Sequence, residues 1–154
     1  MSALSATLKR YDAAVTSLSG RVPEGLVLLF VRVALGGIFW RSGQTKVVDG
    51  TWFQLTDSTY ELFRTEYAGV PLPPELAAVL ANSAEHVLPA LLVAGLFTRS
   101  AALGLIGMTM VIQLFVYPEA WWTEHSLWIA LALVLIMRGG GLFSLDALLA
   151  RRRQ

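Results

Sequence analysis

Cysteine is absent from the chain, so it can form no disulfide, thiolate nucleophile or cysteine-ligated cluster of its own, and its redox compartment stays unread. Any electron chemistry needs a bound cofactor or a partner. Histidine is scarce too, with only His86 and His125. Their expected depths differ by about 15 Å at 1.5 Å per residue, so no metal site is expected. No serine sits in a G-x-S-x-G or beside an evident base and acid, which leaves nucleophilic catalysis without support. Phosphate loops are missing as well, since Gly139-Gly140-Gly141 lacks the strand, spacing and lysine that they need. Charge is thin: 15% of residues carry it, against roughly 25% in soluble chains. With a net charge of +1 there is no nucleic-acid signature.

What fills the 154 residues instead is apolar, 55% of them, with a mean hydropathy of +0.59. The length suits one domain, and the charges cluster between long apolar blocks. The expected fold is all-α, an integral membrane four-helix bundle of one domain over 1–154, with spans at about 23–40, 75–97, 101–117 and 122–138. The first span reads as a retained anchor rather than a cleaved signal. Between spans 1 and 2 lies a stretch too polar to cross and too aromatic to be a linker, expected as an outer cap with a short helix near Asp57 to Tyr67. Short interfacial helices are expected at both ends. Leu4, Leu8, Tyr11, Val15 and Leu18 form one amphipathic face, broken by Ser19, Gly20 and Pro23. At the other end Ser144 is a good N-cap and Asp146 a first-turn anion. There Leu145, Leu148 and Leu149 meet lipid while Arg151, Arg152 and Arg153 meet anionic headgroups.

The second span carries the most informative residues. Asn82, Glu85, His86 and Pro89 fall at i, i+3, i+4 and i+7 and so share one helical face. An ionisable group inside a membrane needs a partner or a wet cavity, so this face belongs in the bundle, and Arg32 of the first span is the expected partner of Glu85. Arg32 shares its own stripe with Gly36, Phe39 and Gly43, which allows close helix approach; Gly104 and Gly107 are expected to do the same on the third span. Arg32, Asn82, Glu85 and His86 therefore make a candidate intramembrane site. It is either a buried register device or a protonatable site able to hold a quinone or carbonyl headgroup. A second candidate, the mouth of a pocket at the outer face, comprises Lys46, Gln113, Trp122, His125 and Trp128, with a plain interfacial tryptophan belt as its alternative.

Lys9, Arg10, Arg21, Arg99, Arg138 and Arg151 to Arg153 fall on one side of such a bundle, and only Arg41, Lys46 and Arg64 on the other. By the positive-inside rule both termini are expected in the cytoplasm.

Four features in order resemble the DoxX family of small four-span membrane proteins. These are R-V-A-L-G-G-I-F with a following G-x-x-K (Arg32 to Phe39, then Gly43 to Lys46), and an acid before G-L-F-T-R-S (Glu85, then Gly95 to Ser100). After them come a tryptophan- and histidine-bearing entry to the fourth span and G-G-G-L-F-S-L-D-A-L-L at its end. Gly140 stands where the family usually has proline. The resemblance implies a four-helix bundle in the bacterial inner membrane, and some members are subunits or partners of membrane oxidoreductases acting on sulfur compounds, thiols or quinones. The expected role is the membrane subunit or anchor of such a redox system, with a quinone as the one cofactor suggested and a redox protein as partner. Two alternatives stand beside it: a small carrier of protons, ions or a metabolite, which would need a homo-oligomer for interior volume, and a non-catalytic scaffold.

Overall fold

A computed structural model describes residues 3–19 and 23–152. Gly20, Arg21 and Arg153, which entered the break and charge arguments above, lie outside the described residues, as do the side chains of Leu4 and Leu18. Among the described residues seven α-helices follow in order: α1 (Ala3–Ser19), α2 (Glu24–Gln44), α3 (Asp57–Thr65), α4 (Pro74–Ala94), α5 (Thr98–Phe115), α6 (His125–Arg138) and α7 (Leu145–Arg151). A 3-10 turn, Pro118–Trp121, precedes α6. Among the described residues the only β pairing is an isolated bridge, Val47 to Leu55. The protein is an all-helical membrane bundle.

Helices α2, α4 and α5 are long and apolar enough to cross a membrane, and α6 is a shorter apolar helix of 14 residues. At 1.5 Å per residue α6 reaches about 21 Å, short of a bilayer core of about 30 Å. Leu28, Leu35, Phe39, Leu92, Leu105 and Leu135 meet in the core with Ala101, Ala102 and Ala132. Where lipid is as apolar as leucine, bundles are held by close packing rather than by escape from water, and the small residues do that here. A Cβ on Gly36 would lie 2.9 Å from Val93, one on Gly43 2.7 Å from the His86 ring, and one on Gly104 2.9 Å from Leu88. Gly107 departs from expectation. It has open space around it, because α5 turns that residue away from α4.

Between α2 and α4 the chain forms the cap. Thr56 caps α3 by accepting from the Thr59 amide, and Phe63 packs with Ala77 and Ala78 of α4. An exposed ion pair between Arg64 and Glu75, 2.9 Å, ties the same two helices. Farther along, the Tyr117 hydroxyl donates to the Glu66 carboxylate, joining the cap to the end of α5. That bond, with burial and the charges of Glu66 and Glu119 behind it, pushes the Tyr117 phenol up to about 12.

The opposite end is locked by Arg32. Its Nη1 donates to the carbonyls of Val93 (3.0 Å) and Leu92 (3.4 Å), and its Nη2 to that of Phe143 (2.6 Å). A cation thus sits on the last turn of α4, where the unsatisfied carbonyls and the helix dipole favour it. Gly95 ends the helix at φ 71, and a Cβ there would fall 2.1 Å from Arg32 Nη1, so glycine is required by conformation and by space. Asp146 completes the lock by accepting from the Phe97 and Thr98 amides, each at 2.9 Å. This double bond holds Phe97 in its left-handed conformation, φ 49, uncommon for a bulky residue. Ser144 caps α7 as expected, accepting from the Ala147 amide.

Candidate functional site

The expected Arg32–Glu85 pair is not formed. Helices α2 and α4 run antiparallel, and their close contacts at Gly36 with Pro89 and at Gly43 with Glu85 set the register. That register places Arg32 opposite Leu92 and Val93. Gly43 lies eleven positions after Arg32 along α2, roughly 16 Å along the axis, too far for any contact. Arg32 is a cap for α4, and Glu85 lies at the other end of α2, under the cap.

Lys46 holds Glu85 instead. Its Nζ lies 2.9 Å from Glu85 Oε1, with the two side chains 8% and 4% exposed. The same ammonium donates to the Ser42 carbonyl (3.2 Å) and to Ser42 Oγ (2.9 Å), which accounts for all three of its protons. Ser42 Oγ in turn donates to Glu85 Oε1 at 2.9 Å. The lysine is fixed from behind, since its carbonyl accepts from the Thr56 amide (3.1 Å) and the Thr59 hydroxyl (2.8 Å). Glu85 Oε2 is left buried with no hydrogen-bond partner among the described residues. Such an atom costs about 1–3 kcal/mol or more when charged if it stays unpaired, a status it shares with Arg32 Nε, Asn82 Oδ1 and Thr98 Oγ1.

Two cavities meet at this carboxylate. One, about 240 Å³, lies between α4, α5 and the cap, with Lys46 and Glu85 at its inner end and Leu80, Ala84, Met108 and Val111 along its walls. Leu80 and Val111 are exposed, so on a membrane bundle this cavity opens to lipid. The other, about 350 Å³, is lined by Ser42, Tyr67 and Glu85 at one end and by Glu119, Glu124, His125 and Trp128 toward the other. Glu85, Tyr67 and Ile112 border both. Burial pushes the Tyr67 phenol well above its ordinary value, with the Tyr117, Glu85 and Glu66 charges adding to the effect.

The other expected residues divide. His86 is buried, its Nδ1 2.8 Å from the Asn82 carbonyl and its Nε2 2.8 Å from the Gln44 amide nitrogen. In that pairing the Gln44 amide donates to Nε2 and Nδ1 donates to the carbonyl. The rings of Trp40 and Phe53 pack against it at 5.0 and 5.6 Å, and it lines neither cavity. Asn82 donates to the Trp52 carbonyl at 3.1 Å and so anchors the cap loop. In the outer set, His125 Nδ1 donates to Gln113 Oε1 at 2.7 Å, which orients the ring in the polar cavity beside Trp128. His125 and Glu85 border one cavity. Trp122 is 85% exposed, stacks edge-on against Trp121 and lines neither cavity. Among the described residues no three His, Asp or Glu side chains group as metal ligands.

Ser42 and Tyr67 were not anticipated. Ser42 could have been found from its spacing, four residues before Lys46, whereas Tyr67 reaches the site only through the folding of the cap.

No curated protein matches the chain, and no solved structure does. The profile of the DoxX family matches residues 27–118, a stretch that holds α2, the cap, α4 and α5 and covers more than half of the sequence. The chain belongs to the DoxX family of membrane proteins.

Proposed function

We propose that this protein is the membrane subunit of a redox system, binding a lipid-soluble quinone or related carbonyl compound at Glu85 and Lys46. The observation that carries the reading is Glu85 itself, a buried carboxylate with one oxygen unpaired among the described residues, on the wall of an apolar, lipid-facing cavity. As a carboxylate that oxygen accepts a hydroxyl donor, and as a carboxylic acid it donates to a carbonyl. One side chain thereby serves both the hydroxyl and the carbonyl form of a ligand. Lys46 and Ser42 hold the other oxygen still and supply a fixed positive charge beside it. A volume of about 240 Å³ is small beside ligand pockets of roughly 300 Å³ and more; it suits one ring, with any tail leaving into lipid. Electrons would pass to or from a partner protein, since the chain supports no thiol chemistry of its own.

The asymmetry of basic residues supports both termini in the cytoplasm, and the family supports a bacterial inner membrane; the Glu85 site and the tryptophans would then lie toward the outside. The test is binding of a short-chain quinone to the protein in lipid nanodiscs, read by tryptophan fluorescence. Saturable binding that weakens at least about tenfold in Glu85→Gln, the loss of about 1.4 kcal/mol or one charge-assisted hydrogen bond, supports the reading. Equal binding by the variant defeats it.

A further inference from the structure

The two cavities at Glu85 differ in chemistry, and the function above uses only one. The apolar cavity has carbon walls apart from Lys46, Glu85 and Tyr67. The second carries Glu119, Glu124 and His125 between Glu85 and the turn that leads into α6. It is a vestibule of acidic and hydrogen-bonding groups, not a packing defect, since polar cavities of this size take water. Its groups are independently positioned: His125 by Gln113 and Tyr117 by Glu66 across the rim. From the remaining sides Glu85 faces Lys46 and Ser42 on Oε1. The neighbouring His86 is turned away, with both ring nitrogens engaged by Asn82 and Gln44. Glu85 itself lines the vestibule, and its neighbours there are polar.

We propose that Glu85 exchanges its proton with the aqueous phase at the tryptophan-bearing end of the bundle through this vestibule, while apolar ligands reach the same carboxylate from lipid between α4 and α5. The step is a proton transfer alone: Oε2 takes a proton from hydronium and leaves water, and the reverse releases it. Lys46 stays in place throughout, held by Ser42. The proton route stands on the vestibule; the lipid route rests on the function proposed above. Together they make Glu85 a junction at which a ligand dissolved in the membrane gives or takes a proton on one side of it only.

The cysteine-free sequence lends itself to the test, because every introduced thiol is unique. Ser42→Cys and Ala120→Cys sit on the vestibule wall, and Ala84→Cys in the apolar cavity. Exposed Asp49→Cys and Arg152→Cys mark the cap end and the terminal end. Each is challenged in sealed, oriented vesicles with a membrane-impermeant trimethylammonium thiosulfonate. The expected result is that Ser42→Cys and Ala120→Cys react from the Asp49 side, and that Ala84→Cys reacts roughly a hundredfold more slowly, the penalty for carrying a charge through an apolar passage. Reaction of both vestibule thiols from the Arg152 side, or of neither from either side, overturns the proposal. In the same vesicles the infrared carboxylic-acid band that Glu85→Gln removes should follow the pH of the Asp49-side buffer. A band that follows the opposite buffer, or its absence at every pH, overturns it as well. The ligand reading is scored separately by whether a short-chain quinone protects Ala84→Cys from N-ethylmaleimide. Loss of that protection with Ser42→Cys labelling intact defeats the ligand and leaves the proton route standing.

Discussion

Replacing Lys46 by methionine strips Glu85 of its cation and leaves Oε1 with Ser42 alone and Oε2 with nothing. The pair is almost wholly buried, at 8% and 4% side-chain exposure, and removing one partner of such a pair typically costs about 3–5 kcal/mol, because the remaining charge stays buried without compensation. Glu85→Gln in the same protein removes that charge, so the double variant should recover much of the loss. The coupling between Lys46→Met and Glu85→Gln should then reach about 1.5 kcal/mol or more, within the 0.5–3 kcal/mol found for residues in contact. The parallel cycle with Arg32→Met should be additive to within about 0.5 kcal/mol, as for distant sites without shared partners. Arg32→Met is itself destabilising, since the α4 carbonyls and that of Phe143 lose a charged donor. Reversible unfolding in mixed micelles, followed by tryptophan fluorescence and helical circular dichroism, measures all four corners. Coupling to Arg32 rather than Lys46 would refute the register of α2 on α4 and the site built on it.

Further outcomes follow from single contacts. Gly43→Ala should cost about 1–3 kcal/mol through overpacking, since its Cβ would fall 2.7 Å from His86 Cε1 and 3.1 Å from Glu85 Cβ. Gly37→Ala, with open space around it, should be neutral or stabilising by about 0.5–1 kcal/mol from helix propensity, and the same unfolding assay ranks the two. For Asp146, burial would raise the carboxyl, but the Thr98 and Phe97 amides and the Arg32 charge outweigh it and hold it below the ordinary value. Its stabilisation is complete above the unfolded value near 4 and lost as pH falls through the lower folded one. Asp146→Asn should therefore flatten the acid limb of the stability profile. Tyr117 behaves oppositely: with its phenol pushed up to about 12, its contribution is full below the unfolded value of about 10 and lost as pH rises through the folded one. Tyr117→Phe should remove that alkaline limb, read by ultraviolet difference titration.

The bundle was legible because its apolar blocks are long and because Arg32, Gly36, Phe39 and Gly43 repeat at helical spacing; all four are buried. Glu85 was legible as a buried acid on the inward face of α4, with Asn82, His86 and Pro89 beside it. Its partner was not. Hydropathy ends the first span near Trp40, whereas α2 continues to Gln44, and that extra turn carries the chain to Lys46, the partner that Glu85 takes. Gly43 held the missing information: it marks where α4 comes closest, and Lys46 follows three residues later. Asp146 was read as an anion for its own helix, while its larger role is to accept from Phe97 and Thr98, a pairing across 48 residues that no local pattern carries. The vestibule was also hidden, since it needs the cap, the end of α5 and the start of α6 in one place.

The most direct test of the central claim is photo-crosslinking with an azido-quinone in nanodiscs, followed by mapping of the labelled peptides. Label on the Ala77 to Glu85 stretch of α4 and on the Met108 to Ile112 turn of α5, reduced by excess short-chain quinone and by Glu85→Gln, is what the account predicts. Label confined to the outer surfaces of α2 or α6, or unchanged by Glu85→Gln, would contradict it.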